Sequence, residues 1–225
     1  MVVGEPAYPI QAELFDSPIS NNVYPGDVLR ALSDTLDAGG VALDVGSGRR
    51  LFGAERLVQL EICTYPFTDI VNQSEDLPFL DNSFDFVFSL AVTEHVARPW
   101  VLATEIQRVT KPGGKIIVDS AFLQPLHGYP SHFFNMTHLA LRKLFDAVEI
   151  ESLEPAMYQH PWFSLSWILD RVLVDLAPEQ RALVAGLSVQ EFYEEMNKYC
   201  RSEPNRQRAG KLAGHRREPA LRRLL

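Results

Sequence analysis

The chain has 225 residues, of which 46% are hydrophobic and 22% charged, with a formal net charge of −8. That length suits one domain with a sizeable core and an appendage, and no apolar run nears the ~20 residues a bilayer crossing needs. The opening residues MVVGEPAYPIQAEL show no basic-then-apolar leader, and the two thiols, Cys63 and Cys200, give no disulfide or metal pattern, which together predict a reducing, cytoplasmic setting. Residues 201–225 carry eight Lys/Arg and two Glu, which leaves the rest strongly acidic. An acidic body argues against an extensive nucleic-acid surface, and the basic end reads as a solvated tail.

Residues 1–24 are rich in Pro, Asn and Ser and read as an irregular lead-in. The stretch GDVLRALSDTLDAGG predicts a helix with Asp27 as N-cap, a stripe of Val28, Leu29, Leu32 and Leu36, and a stop at Gly39-Gly40. VALDV (41–45), LVQLEI (57–62), FTDIV (67–71) and SFDFVFSLAV (83–92) read as four strands. VLATEIQRVT follows as an amphipathic helix with Val101, Leu102, Ile106 and Val109 inward, terminated by KPGG. KIIVDSAF is a fifth strand, MTHLALRKLFDA a helix capped by Thr137, and VEIESL (148–153) a sixth strand. From about residue 161 the pattern turns helical: SLSWILDRVLVDLA, with Leu165, Ile168, Leu169, Val172 and Leu173 on one face, and SVQEFYEEMNKYC. Strands alternating with helices predict a Rossmann-like, doubly wound α/β fold with a mostly parallel sheet and helices on both faces. Residues 1–160 form its main body, and 161–225 form a helical extension and basic tail of the same domain.

In an open parallel sheet, ligands bind outside the carboxyl ends of the strands. The loop Gly46-Ser47-Gly48 after the first strand is therefore the candidate site, since glycine admits close backbone approach. A dinucleotide fingerprint wants a third glycine, but position 51 is Leu. Only RRLFGAER separates the loop from the next strand, which clips the first crossover helix to about a turn. A pyrophosphate site built on that helix would be poor, so a phosphate-free nucleoside suits the loop better. Glu61, near the end of the second strand, can accept both ribose hydroxyls.

LDVGSG, LEI, NQSEDLPFLDNSFDFVFSLAVTEHV and EIQRVTKPGGKIIVDSAF occur in that order. Together they resemble class I S-adenosylmethionine-dependent methyltransferases, over roughly residues 40–146. The resemblance implies S-adenosyl-L-methionine as cofactor. Asp44 and the backbone of Gly46, Ser47 and Gly48 would hold its methionyl end, and Glu61 its ribose. Ser74 would contact adenine through its backbone, and Gln73 stands where the family often has an acid. Ile62 or Leu77 would pack on the purine, and Ser89, Leu90 and Ala91 would flank the sulfonium. Arg49 or Arg50 could pair with the methionyl carboxylate bidentately, replacing part of the missing helix N-terminus. The antiparallel seventh strand usual in the family has no convincing counterpart after residue 161.

Base candidates lie in the loops at the strand ends. FLQPLHGYPSHFFNMTH holds His127, Tyr129, His132 and His138, and His95 in TEHV starts a helix after the fourth strand. His127 or His132, with His95 next, would take a proton from the acceptor, while Tyr129, Phe133 and Phe134 could exclude water. His138 reads as helix surface, and no metal is expected, since the His127–His132 spacing lacks further ligands. The resemblance also favours a small polar acceptor, a hydroxyl of a sugar, glycan or natural-product intermediate. The competing readings are a non-catalytic, cofactor-binding scaffold and a nicotinamide-dependent oxidoreductase, the latter disfavoured by Leu51. Oligomeric state is not readable from the sequence.

Overall fold

The computed structural model describes residues 23–127, 131–155, 159–174 and 176–201. The lead-in up to residue 22, Tyr129 and nearly all of the basic tail lie outside these residues. Two compact units divide between Ser164 and Leu165.

The first unit is built on five strands: β1 (Ala42–Val45), β2 (Leu57–Glu61), β3 (Ile70–Val71), β4 (Phe84–Ser89) and β5 (Thr110–Val118). All pair in parallel, in the order β3-β2-β1-β4-β5. The chain winds outward from β1 through β2 to β3, then returns to lay β4 on the other side of β1. That reversal makes the gap between β1 and β4 the topological switch point, where an open α/β sheet binds ligands at its carboxyl ends.

Alternation along β1 sends residues to two cores. Leu43 and Val45 join a cluster with Leu60, Val87, Leu102, Ile106 and Phe145, under α2 (Pro99–Val109) and α3 (His138–Leu144). Ala42 joins Leu57, Phe86 and Phe88 on the other face, against Val28, Ala31 and Leu32 of α1 (Gly26–Asp37). Helices thus cover both faces, as a parallel sheet requires. Asp27 lies inside the first turn of α1 rather than at its N-cap, which is Pro25. There it complements the helix dipole instead of capping a backbone N–H. Leu29 of the expected stripe is 42% exposed, and Ala31 takes the buried position. Thr137 caps α3 as expected, accepting from the Ala140 N–H.

Three expectations change. The crossover between β1 and β2 contains no helix at all among the described residues, so it is shorter in structure than the single turn predicted. KPGG does more than stop α2. Phe84 pairs with Thr110 and Phe86 with Lys115, so residues 111–114 form an excursion within β5. Gly113 sits there at φ 79°, and a Cβ on Gly114 would lie 2.9 Å from the Asp85 carbonyl oxygen. Finally, residues 148–153 form no strand. Val148 and Ile150 alternate as one apolar face would, but Leu153 falls on the other, and Val148 and Leu153 are 39% and 38% exposed. Three apolar side chains bury too little surface to offset the entropy of ordering an edge strand. The sheet ends at β5, and no antiparallel strand joins it among the described residues.

From Pro161 the chain is helical: α4 (Pro161–Val174), α5 (Pro178–Ala185) and α6 (Val189–Arg201). Helix α5 was not expected; its signals are proline in the first turn and Glu179 near the N-terminus, with no broad apolar stripe. On α4 the predicted apolar face is mixed: Leu165 and Ile168 are each 43% exposed, whereas Leu169, Val172 and Leu173 are half-buried. No helix among the described residues is long and apolar enough to cross a membrane.

Candidate functional site

The glycine loop leaves β1 at the switch point. The N–H groups of Gly46 and Ser47 both donate to the Leu60 carbonyl, at 2.9 and 3.0 Å, which folds the loop over the end of β2. Gly46 and Gly48 take φ of 75° and 63°, a region that favours glycine. Gly46 is doubly constrained, since a Cβ there would stand 2.4 Å from Val92 Cγ2.

Two carboxylates flank this loop. Glu61 accepts the Gly48 N–H on one oxygen and the Ile62 N–H on the other, each at 2.7 Å. Burial raises its pKa, and those two N–H groups partly offset the shift. Asp44 is fully buried. One of its oxygens accepts from the Tyr24 hydroxyl at 2.7 Å and lies 3.5 Å from Arg50 Nε; the other has no hydrogen-bond partner among the described residues. Burial, with the Glu61 charge adding, pushes the Asp44 carboxyl up to about 6 against the pull of Arg50 and Tyr24. The same burial, with the Asp44 charge beside it, raises the Tyr24 phenol.

The two arginines part company. Arg50 turns inward, 7% exposed, with its guanidinium 4.4 Å from the centre of the Tyr24 ring. Arg49 is exposed and lies over Tyr65, at 5.6 Å. Tyr24 was not among the sequence candidates. It immediately precedes the Pro25 start of α1, and that helix brings it back beneath Asp44, with its ring edge-on to Phe88 at 5.2 Å.

The remaining nucleoside candidates follow β3 and β4. Asn72 N–H donates to the Glu61 carbonyl, and Gln73 N–H to the Asn72 side chain, so Gln73 and Ser74 border the Glu61 rim. Ile62 is partly exposed there, whereas Leu77, 2% exposed, packs in the core under α2. Arg108 fixes that segment by donating to the Leu77 and Phe79 carbonyls. Leu77 therefore supports the loop from below and offers little surface to a ligand. Ser89 is buried, its hydroxyl donating to the Val45 carbonyl, which ties β4 to β1 at the switch point. Leu90 and Ala91 follow partly exposed; Ala91 sits at φ 55°, held by its N–H to the Asp119 carboxylate at 2.6 Å.

Beyond Ala91 the structure gathers the three candidate histidines. The ring centres of His95, His127 and His132 lie 4.3–5.9 Å apart. His95 stands in a turn closed by its N–H to the Val92 carbonyl, not at a helix start, because α2 waits until Pro99. The loop after β5 folds onto this turn: the N–H groups of Phe133 and Phe134 both approach the Glu94 carbonyl, and Met136 N–H donates to the Ala121 carbonyl. His132 is committed at both nitrogens, Nδ1 accepting the His127 N–H and Nε2 donating to the Phe134 carbonyl. Both of its ring nitrogens are thus engaged within the loop. Burial lowers His95 to about 4, with His127 and His132 adding to the shift, and burial also lowers His127. His138 is exposed on α3. The sequence did not single out Glu94. It is buried beside the histidines, and its carboxyl is pushed up to about 7 by burial, with the Asp119 charge adding.

Residues 26–118 match the family model described as a methyltransferase domain. An uncharacterized methyltransferase of Mycobacterium tuberculosis H37Rv is 44% identical over 70 residues, which is 29% of this chain and 28% of that protein. One of Mycobacterium marinum is 41% identical over the same shares. The match thus spans under a third of these relatives. Among solved structures, a SAM-dependent methyltransferase from Aquifex aeolicus aligns over 51% of this chain and 77% of its own, at 15% identity and a TM-score of 0.36. The parallel sheet and its switch-point glycine loop lie within the part of the chain, residues 26–118, that is similar to a methyltransferase domain.

Proposed function

We propose that the protein transfers a methyl group from S-adenosyl-L-methionine to a hydroxyl of a small polar acceptor, such as a sugar, glycan or natural-product intermediate. The observation that carries this reading is the convergence of three features at the carboxyl ends of β1 and β2. These are a buried Asp44 oxygen with no hydrogen-bond partner among the described residues, a glycine loop with no room for a side chain at Gly46, and Glu61 on the rim. They suit the cofactor chemically. The Asp44 oxygen would accept from the methionyl ammonium. Each Glu61 oxygen accepts one N–H and keeps a lone pair for one ribose hydroxyl. Gln73, Ser74 and Ile62 border the same rim and would hold the adenine. Arg50, beside Asp44 and Tyr24, would pair with the methionyl carboxylate. Ser89, Leu90 and Ala91 would flank the sulfur.

When bound, the cofactor supplies an electrophilic methyl carbon on a positively charged sulfur. The chain's own contribution is alignment and exclusion of water, and alignment alone supplies up to ~7–11 kcal/mol of a barrier. Phe133 and Phe134, in the same loop as His127 and His132, would help exclude water where the acceptor enters. As the hydroxyl oxygen attacks, its proton must leave. His127 is the better acceptor of the two histidines that retain a ring lone pair, since His95 is neutral but weakly basic. His132 positions His127 through its backbone N–H.

Two measurements test the proposal. Calorimetric titration should show binding of S-adenosylmethionine and S-adenosylhomocysteine but not of NAD. A methyl-transfer screen over hydroxylated acceptors should find a substrate whose turnover falls ~10²-fold or more in His127→Ala, the scale of a lost general base, with cofactor affinity unchanged. Binding without turnover on any acceptor would favour the scaffold reading, and NAD binding would refute the cofactor assignment.

A further inference from the structure

The turn after β4 holds a carboxylate that the methyl-transfer reading does not use. Glu94 is fully buried, and neither of its side-chain oxygens has a hydrogen-bond partner of good geometry among the described residues, though the Glu94 and Ala121 backbone and the Thr93 side chain act on it and only partly offset its burial. It also takes part in none of the ion pairs seen among those residues. A buried carboxylate with so little compensation is costly to desolvate and calls for a partner.

Its neighbours are imidazoles. One ligand atom each from Glu94, His95 and His127 lies within 4.8 Å of the other two. Backbone carbonyls set the tautomers: His95 Nδ1 lies 2.7 Å from the Ser131 oxygen, and His127 Nδ1 lies 2.9 Å from the Pro125 oxygen. A carbonyl only accepts, so both Nδ1 atoms carry the ring proton and both Nε2 atoms carry the lone pair. An N–H donated to a backbone carbonyl is the support that metal-ligating histidines characteristically have.

We infer that Glu94, His95 and His127 form a binding site for a divalent first-row transition cation of the zinc type. Two imidazole nitrogens and one carboxylate oxygen are the donor set such ions take when a coordination position is left open. Bonds of ~2.0–2.2 Å to a tetrahedral ion place its donors about 3.4 Å apart, so the cluster must close by about 1 Å. The turn and the loop are already coupled by the bonds of Phe133 and Phe134 to the Glu94 carbonyl, so they can draw in together. His132 stays outside the ligand set because both its nitrogens are engaged. A hydroxyl entering the open position would be polarised by the cation and lose its proton more easily. His127 would then serve as a ligand, and coordination would replace its role as proton acceptor. Cation binding itself rests on the donor set and needs no methyl acceptor.

The test uses the full chain, stripped of metal by chelation, with Zn²⁺ followed by calorimetry and Co²⁺ by visible absorption. One equivalent should bind, with Co²⁺ giving the intense bands of a four- or five-coordinate site. Glu94→Gln keeps the side-chain shape, and His127→Ala removes a nitrogen. Each should weaken binding by at least the roughly 10–100-fold that loss of a mere supporting contact costs such sites. His138→Ala, on the exposed face of α3, should leave it unchanged. Circular dichroism and S-adenosylhomocysteine binding report whether each variant folds, and His95→Gln takes the place of any that does not. Absence of stoichiometric binding, or equal affinity in the wild type and the folded ligand variants, overturns the site. Methyl transfer is not part of this readout, so failure of one proposal leaves the other standing.

Discussion

Glu61→Gln separates cofactor binding from folding. In the structure each Glu61 oxygen accepts one backbone N–H, from Gly48 and from Ile62. A glutamine has one acceptor oxygen, so its NH₂ must face one of those N–H groups, and it can no longer accept from two ribose hydroxyls. A hydrogen bond to a charged group contributes ~1.5–3 kcal/mol, so losing one in the complex weakens S-adenosylhomocysteine binding by roughly 10- to 150-fold. Stability should suffer less. Burial raises the Glu61 pKa, which means the charge is disfavoured in the folded chain, and removing it returns part of that cost. Calorimetric titration gives the affinity, and urea unfolding at pH 7 gives the stability. A 2′,3′-dideoxyadenosine probe has no ribose hydroxyls in play and should bind the variant and wild type about equally. Unchanged S-adenosylhomocysteine affinity in a folded variant, or an equal loss for the dideoxy probe, refutes the ribose role.

Asp44 predicts a pH dependence. Its carboxyl titrates near 6 in the folded chain, so binding of a ligand ammonium by its ionised form should weaken about tenfold between pH 7.5 and 5, and Asp44→Asn should abolish that slope. A raised pKa also means its contribution to stability is full below the unfolded value and is lost as pH rises through about 6. Asp44→Asn should therefore gain up to about 3 kcal/mol on the wild type between pH 4 and 7.5 in urea unfolding. Arg50→Met should weaken S-adenosylhomocysteine binding while sparing 5′-methylthioadenosine, which lacks the carboxylate. Arg49→Met should change neither, because Arg49 points out over Tyr65; comparative titrations decide. Gly46→Ala should destabilise through both its φ and the Val92 clash, and thermal unfolding should show Val92→Ala restoring only part of the loss, since the backbone strain remains.

The fold was legible wherever a pattern carried its own partner. β1, β2 and β4 are runs buried on both faces, and continuous hydrophobicity is what a central parallel strand requires. VEIESL begins with the alternation of a half-buried strand, yet periodicity names a face and not a neighbour, and among the described residues it pairs with no strand. α5 failed in the other direction. It is short and nearly stripeless, so only its proline and first-turn acid marked it. Arg49 and Arg50 were indistinguishable in sequence because a helix-free loop has no period to assign a side chain inward or outward. The choice was made by Tyr24 and Asp44, whose hydroxyl and carboxylate meet 20 residues apart.

Glu94 shows where reading by residue type runs out. Beside His95, in the turn just past β4, it could have been a solvated acid or a member of the site. Burial decides, and burial depends on a loop nearly forty residues later: the N–H groups of Phe133 and Phe134 close over the Glu94 carbonyl, and the same loop delivers His127 and Ser131 to His95. No spacing rule for metal ligands covers three residues split across two strand-end loops. What the sequence does offer is topology. Both loops follow neighbouring strands, β4 and β5, at their carboxyl ends, so any polar residues they carry must converge on one mouth. The informative question in such a chain is therefore which side chains each strand-end loop contributes to that mouth, and the histidines alone gave half of the answer.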